Sequence, residues 1–331
     1  MSSLFANVAA IVLAAALSAA IVWAIKPILQ RYALARPNAR SSHHIPTPQG
    51  AGIAVIAATL LVSGAFMLAS GASFPWLLFC ATIAIAVVGA VDDIRPIPVA
   101  PRLLLQAACV VAVLYESGDG RIWDAAPFWL ERALLFVAIL WFVNLVNFMD
   151  GLDLITVAEV VPVTAGFVVL GWLGVLSPTV ALVGAALGGA ALGFAPFNKP
   201  VARIFLGDVG SLPIGLLLAW GLIELAFQDG LVAALLLPLY YLADATVTLL
   251  RRLAKGEKVW VAHRSHFYQQ ATDNGFSVKA VVGRIFILNV ALAAMGVASA
   301  LTTSTPIKLA LLALGGAAVV LLMRRFSTPQ T

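Results

Sequence analysis

Apolar residues run along the chain in blocks of about 17–25, the length that crosses a bilayer as a helix, separated by Pro, Gly and charge. The blocks predict eleven helices, at 4–25, 51–70, 75–91, 103–116, 129–147, 155–175, 179–197, 212–227, 231–250, 280–301 and 306–323. The stretch 155–197 could form one long tilted span, but Ser177-Pro178 supplies a turn signal that divides it. The first block, Leu4 to Ile25, has no basic segment before it and no small-residue cleavage site after it. It therefore reads as a retained helix and not a signal peptide. No internal repeat or linker interrupts the pattern. The expected fold is an all-α, polytopic membrane helix bundle of about eleven transmembrane helices forming a single domain over 1–331.

Composition excludes a soluble globular domain. The chain is 62% hydrophobic and 11% charged, against roughly 25% charged in soluble proteins. Cys80 and Cys109 both fall in apolar blocks, which leaves no disulfide framework and no thiolate metal site. The net charge of +5 needs no nucleic-acid partner, because topology signalling and attraction to anionic lipid account for it. With eleven spans, 17 of the 20 Lys and Arg fall on one side, and only Arg121, Arg132 and Lys308 on the other. By the positive-inside rule the crowded side is cytoplasmic, with the N-terminus outside and the C-terminus in the cytoplasm.

The unusual polar residues fall on that same side. His43, His44, His263 and His266 all lie in its loops, as do Asp92, Asp93, Asp150, Asp153 and Asp208. The opposite loops carry Glu116, Asp119, Asp124 and Asp229 and no histidine. In "VGAVDDIRPIP" two adjacent acids repel each other unless something positive stands beside them. In "NKPVARIFLGDVGSLPIG" Gly207 and Gly210 flank Asp208, Ser211 is a candidate N-cap, and Pro213 suits a first helical turn. A helix N-terminus there suits phosphate, while Asp208 has the wrong sign unless a cation such as Mg²⁺ bridges the two. The plain alternative is an inter-helix turn with a solvated Asp.

"NLVNFMDGLD" places Asn144, Asn147, Asp150 and Asp153 at a strict spacing of three, one slowly drifting ridge of a helix end. Such a row can hydrogen-bond a nucleobase, ribose or sugar, or can be a solvated C-terminus with Gly151 as its stop. In "VAHRSHFYQQ" the His263/His266 pair lacks a third zinc ligand. With Arg264, these histidines suit phosphate oxygens better. Asp244, near the end of the ninth block, is either a site residue or an ion-pair partner of Arg251 and Arg252. Together these groups suit phosphoryl transfer, in which a protein positions groups and neutralises charge. A boundary site could hold a soluble nucleotide while a lipid-borne partner enters from the bilayer.

"VDDIRPIPVAPRLLLQ", "NLVNFMDGLD", "NKPVARIFLGDVGS", Asp244 ahead of "RRL", "AHRSHFYQ" and the first loop "SSHHIPTPQGAG" together resemble the polyprenyl-phosphate N-acetylhexosamine-1-phosphate transferases. That family includes the initiators of O-antigen and enterobacterial common antigen and the phospho-N-acetylmuramoyl-pentapeptide translocase. The resemblance implies transfer of a sugar 1-phosphate from a UDP-N-acetylhexosamine to undecaprenyl phosphate, with release of UMP, in the bacterial inner membrane. It implies Mg²⁺, or Mn²⁺ in its place, held by Asp208 and Asp93, and a catalytic set of Asp92, Asp93, Asp208 and His263. Substrate would be bound by His43, His44, Asn144, Asn147, Asp150, Asp153, Asn198, Arg264 and His266. Homodimers occur in the resembled family. Because a phosphate monoester is already largely ionised at neutral pH, with a second pKa of about 6, positioning should outweigh proton abstraction. The sequence departs from the family at Leu154, where Gly is usual, and at Gln49 and Ala51, where Arg and Gly are common. A lipid transporter or a membrane lipid phosphatase is the alternative function.

Overall fold

The computed structural model describes residues 3–35, 46–258 and 263–330. Thirteen helices follow one another: α1 (Ser3–Tyr32), α2 (Gly52–Ser70), α3 (Trp76–Ile94), α4 (Val99–Glu116), α5 (Phe128–Met149), α6 (Ile155–Trp172), α7 (Pro178–Asn198), α8 (Asp208–Leu225), α9 (Leu231–Leu236), α10 (Leu239–Ala254), α11 (Phe267–Asp273), α12 (Val278–Ala300) and α13 (Thr305–Phe326). The only sheet among the described residues is a two-residue antiparallel pair, β1 (Leu34–Ala35) with β2 (Thr47–Pro48). The fold is the expected all-α polytopic bundle. Ser177 divides α6 from α7 as anticipated, its Oγ accepting Val180 N–H at 3.3 Å with Pro178 in the first turn. By contrast, α1 continues past its expected end at Ile25, through Pro27 to Tyr32.

Among the described residues ten segments are long and apolar enough to cross a membrane, one fewer than the eleven expected. The difference lies at 231–250. That stretch is broken into α9 and α10 at Leu237-Pro238, because proline lacks the N–H that a continuous helix needs. Each piece falls short of a span on its own. The chain still reverses before α9, where Gln228 and Asp229 leave helical geometry.

The three basic residues assigned by sequence to the sparse face gather at this end. Arg121 pairs with Glu131 at 2.8 Å, Lys308 with Asp229 at 2.6 Å, and Arg132 lies over the Phe227 ring. α8 is the axis of the bundle, nearly every residue buried. Close backbone approach makes this possible: a Cβ at Gly89 of α3 would stand 2.3 Å from the Asp208 carbonyl oxygen. The start of α8 therefore lies directly against the end of α3.

Candidate active site

The end of α3 and the start of α8 are joined by one carboxylate. Asp93 Oδ1 accepts the Asp208 N–H at 2.9 Å and Oδ2 accepts the Val209 N–H at 3.2 Å. This is an N-cap supplied from another helix: it satisfies two orphan donors and sets an anion at the positive end of the helix dipole. Ser211, the expected cap, instead lies inside the first turn, because α8 starts earlier, at Asp208. The cap position belongs to Gly207, whose φ of +77° is easy only for glycine. Ser211 Oγ accepts from Asn147 Nδ2 at 2.9 Å, and the same nitrogen donates to Asp208 Oδ1 at 2.8 Å. Asp92, Asp93 and Asp208 lie close enough to act on one another electrostatically.

The positive partner of the paired acids is Arg102. It donates to Asp92 Oδ2 at 2.7 Å, while Asp92 Oδ1 accepts the Ile97 N–H at 2.5 Å. The two neighbouring aspartates thus serve different elements. Asp92 ties α3 to the start of α4, and Asp93 ties it to α8.

A cavity of about 500 Å³ opens beside this junction. Asp93, Asp208, Asn147, Asp150, Asp153 and Asn198 of the expected site all line it. Asn198 is the staple of its far wall: Oδ1 accepts the Leu154 N–H at 2.7 Å and Nδ2 donates to Ile204 O at 2.9 Å. Asp153 Oδ2 accepts the Ala202 N–H at 3.0 Å, and Thr156 donates its hydroxyl to Asp150 Oδ1. Burial raises the Asp150 carboxyl to about 6, with the charges of Asp93 and Asp153 adding to the effect against the Thr156 hydrogen bond.

Other expected residues lie elsewhere. Asn144 is buried between helices, donating to Gln106 Oε1 and Leu140 O at 2.8 Å each, and does not line the cavity. Three-residue spacing drifts around a helix, and by one turn inward it faces α4. His263, Arg264 and His266 also stand outside the cavity wall. His266 Nδ1 lies 3.2 Å from Asp244 Oδ1, its ring stacked on His263. Burial holds the His263 ring down at about 4, with the nearby His266 and Arg252 charges adding to this. Burial therefore favours the neutral His263 ring. Arg264 pairs with Asp273 at 3.0 Å. His43 and His44 lie outside the described residues.

Asp244 resolves toward structure. It accepts the N–H groups of Phe267 at 3.0 Å and Tyr268 at 3.1 Å, and the hydroxyls of Tyr240 at 3.0 Å and Thr248 at 3.3 Å. It caps α11 and makes no ion pair with Arg251 or Arg252; Arg252 pairs with Glu257 instead. The histidine loop reaches the cavity through Gln269, which lines the wall, while its neighbour Tyr268 donates its hydroxyl to Phe148 O at 3.1 Å outside the lining. Nothing in the sequence singles out Gln269 or Thr47 as a site residue, yet both line the cavity. Gln49, noted only as a departure, lines it and donates to Asp93 O at 2.9 Å.

The donor set of the cavity is all oxygen and amide, with four aspartates and no Lys, Arg or His among its described lining residues. Such a hard, anionic wall suits Mg²⁺, Mn²⁺ or Ca²⁺ over softer metals. No three His, Cys, Asp or Glu among the described residues form a cage for a metal by themselves. Mg²⁺ would need no such cage, since it takes one or two carboxylates and completes its shell with water and substrate phosphate.

The model of glycosyl transferase family 4 matches residues 75–226, the segment carrying Asp93, Asn147, Asp150 and Asp208. The chain is 29% identical over 340 residues to the decaprenyl-phosphate N-acetylglucosaminephosphotransferase of Mycobacterium leprae, covering 88% of this chain and 84% of that one. It is 27% identical over 263 residues to the phospho-N-acetylmuramoyl-pentapeptide-transferase of Desulfotalea psychrophila, covering 68% and 72%. The corresponding protein of Synechococcus sp. is 34% identical over 216 residues, covering 57% and 60%. The acid-lined cavity is built largely from the matched segment, and the two together support a place for the chain among the polyprenyl-phosphate hexosamine-1-phosphate transferases of glycosyl transferase family 4.

Proposed function

We propose that the protein transfers a sugar 1-phosphate from a UDP-N-acetylhexosamine to undecaprenyl phosphate, releasing UMP, as an early step in a bacterial cell-envelope polysaccharide. The observation that carries this reading is the junction of Asp93 and Asp208 at the start of α8, on the wall of a cavity at the helix ends. Asp93 and Asp208 would hold Mg²⁺, which supplies charge neutralisation between two anionic phosphates. Around them, Asn147 fixes the Asp208 carboxylate, Asp92 fixes Arg102, and the Asn198 staple holds the loops against which a nucleoside would rest. The largest catalytic contribution is then placement of pre-oriented groups, since the acceptor phosphate is already ionised.

The crowded basic side faces the cytoplasm in this reading, where the nucleotide sugar is found. Purified protein incubated with UDP-N-acetylglucosamine, undecaprenyl phosphate and Mg²⁺ should release UMP, and Asp208→Asn should not. Release of inorganic phosphate without UMP would favour a lipid phosphatase, and no chemistry at all would favour a transporter. Wild-type turnover by Asp208→Asn would sink the assignment of that carboxylate.

A further inference from the structure

Two guanidinium groups meet at one aromatic ring on the flank of the bundle, away from the cavity lining. Phe276, buried at the turn between α11 and α12, has Arg284 Cζ at 5.0 Å and Arg325 Cζ at 4.6 Å from its ring centroid. Arg284 donates to Ala280 O of its own helix, and Arg325 to Thr328 O, Thr328 Oγ1 and Pro329 O. All of these acceptors are neutral. Among the described residues neither arginine has a carboxylate in ion-pair reach. A ring face attracts a cation, and two cations drawn to the same ring repel each other, a repulsion that an anion shared between them would relieve.

Topology alone explains why basic residues lie at this end; it does not explain why two of them converge. Their surroundings name the anion. Arg284 lies near the start of α12 and Arg325 in the last turn of α13, at the end that holds the cavity, which Val278 lines. Along α12, Gly283 leaves open space beside it, and Ile287, one turn on, is 70% exposed; on α13, Leu321 is 66% exposed. A phosphodiester joined to acyl chains matches both halves: guanidinium forks pair bidentately with phosphate, and the apolar faces lie along the chains.

We propose that Arg284 and Arg325 form a binding site for the headgroup phosphate of an anionic glycerophospholipid. Bound lipid holds the end of α13 where Asn274 Nδ2 donates to Phe326 O at 2.7 Å and Gln330 N–H donates to Asn274 O at 2.9 Å. Through α11 this steadies Gln269 on the cavity wall. The inference stands independently of which sugar or polyprenyl phosphate is used.

Native mass spectrometry of the purified protein with equal amounts of phosphatidylglycerol and phosphatidylcholine of matched acyl chains tests the site. Wild type should retain phosphatidylglycerol preferentially. Arg284→Gln/Arg325→Gln should lose most of that preference, roughly fivefold per arginine, and Arg324→Gln should keep it. Melting in phosphatidylcholine nanodiscs should be alike for all three. If the double variant does not fold, Arg284→Gln alone, at an exposed position, should show the single-arginine loss. No preference in wild type, undiminished preference in the variants, or phosphatidylglycerol displaced by undecaprenyl phosphate at equal concentration would each overturn the proposal.

Discussion

Asp93 of α3 caps α8 by accepting the Asp208 and Val209 N–H groups, so the acid that enters the cavity also fixes the helix that presents its neighbour. Removing a cap of this kind costs about 1 kcal/mol, up to 2. Asp93→Asn keeps one acceptor and should melt within about 1 kcal/mol of wild type while losing UMP release. Asp93→Ala should lose both. Thermal melting read beside UMP release separates the two roles, and an active Asp93→Ala protein would contradict the placement.

Leu154 holds φ +65° at the start of α6, a left-handed conformation, and its N–H is bound by Asn198. A non-glycine residue there stores about 1–2 kcal/mol of strain, and a β-branched one more. Leu154→Gly should therefore fold with stability near or above wild type, relief of strain offsetting lost packing. Leu154→Val should lower the melting temperature. The reverse order would mean that side-chain packing and not backbone strain governs the site.

Asp150 and His263 should pull the pH dependence of stability in opposite directions. Burial raises Asp150 from 3.8 to about 6, so the folded state binds the proton more tightly. The resulting stability is present at low pH and is lost as pH rises through about 4 to 6, an upper bound of about 3 kcal/mol. His263 is lowered from 6.5 to about 4, so its contribution is present above 6.5 and lost as pH falls through that window. Asp150→Asn should abolish the first slope and His263→Gln the second, measured as melting temperature from pH 4 to 8. Parallel profiles for wild type and both variants would refute these environments.

Asp244 gathers two backbone N–H groups, two hydroxyls and the His266 ring, all within the interior. Deleting the carboxylate leaves buried donors unpaired, at about 1–3 kcal/mol each. Asp244→Ala should lose several kcal/mol by that measure, whereas Asp244→Asn should lose less. UMP release should fall in the Asn variant through displacement of α11 and Gln269, visible as a raised KM. An unchanged melting curve in Asp244→Ala would remove its capping role.

Much of this fold was legible because bilayer-length apolar blocks leave few alternatives. All thirteen helices except α9, α10 and α11 correspond to predicted spans, and α9 and α10 occupy the ninth. Pro238 was visible, yet a proline inside an apolar block does not by itself say whether a helix kinks or stops. For the site, Asp93, Asp150, Asp153 and Asp208 were identified from loop position, Asn147 from its spacing and Asn198 only from the family resemblance, and all six line one cavity. Asn144 was not separable from Asn147 by spacing, since only the neighbouring α4 decides which amide faces a helix and which faces the cavity. Tyr268 and Gln269 carry no chemical signature in sequence: Tyr268 matters through its bond to Phe148, 120 positions away, and Gln269 through its place on the cavity wall.

The linear sequence determined by itself that this chain belongs in a membrane, where all but three of its helices fall and which ends collect the acids. Those properties follow from local composition, because each apolar block must satisfy its own backbone as helix. Tertiary structure alone decided that Asp92 pairs with Arg102 while Asp93 caps α8, and that Asp244 caps α11. Partner choice depends on which backbone donors packing brings within 3 Å or so of a carboxylate, and here glycine contacts between α3 and α8 set that distance.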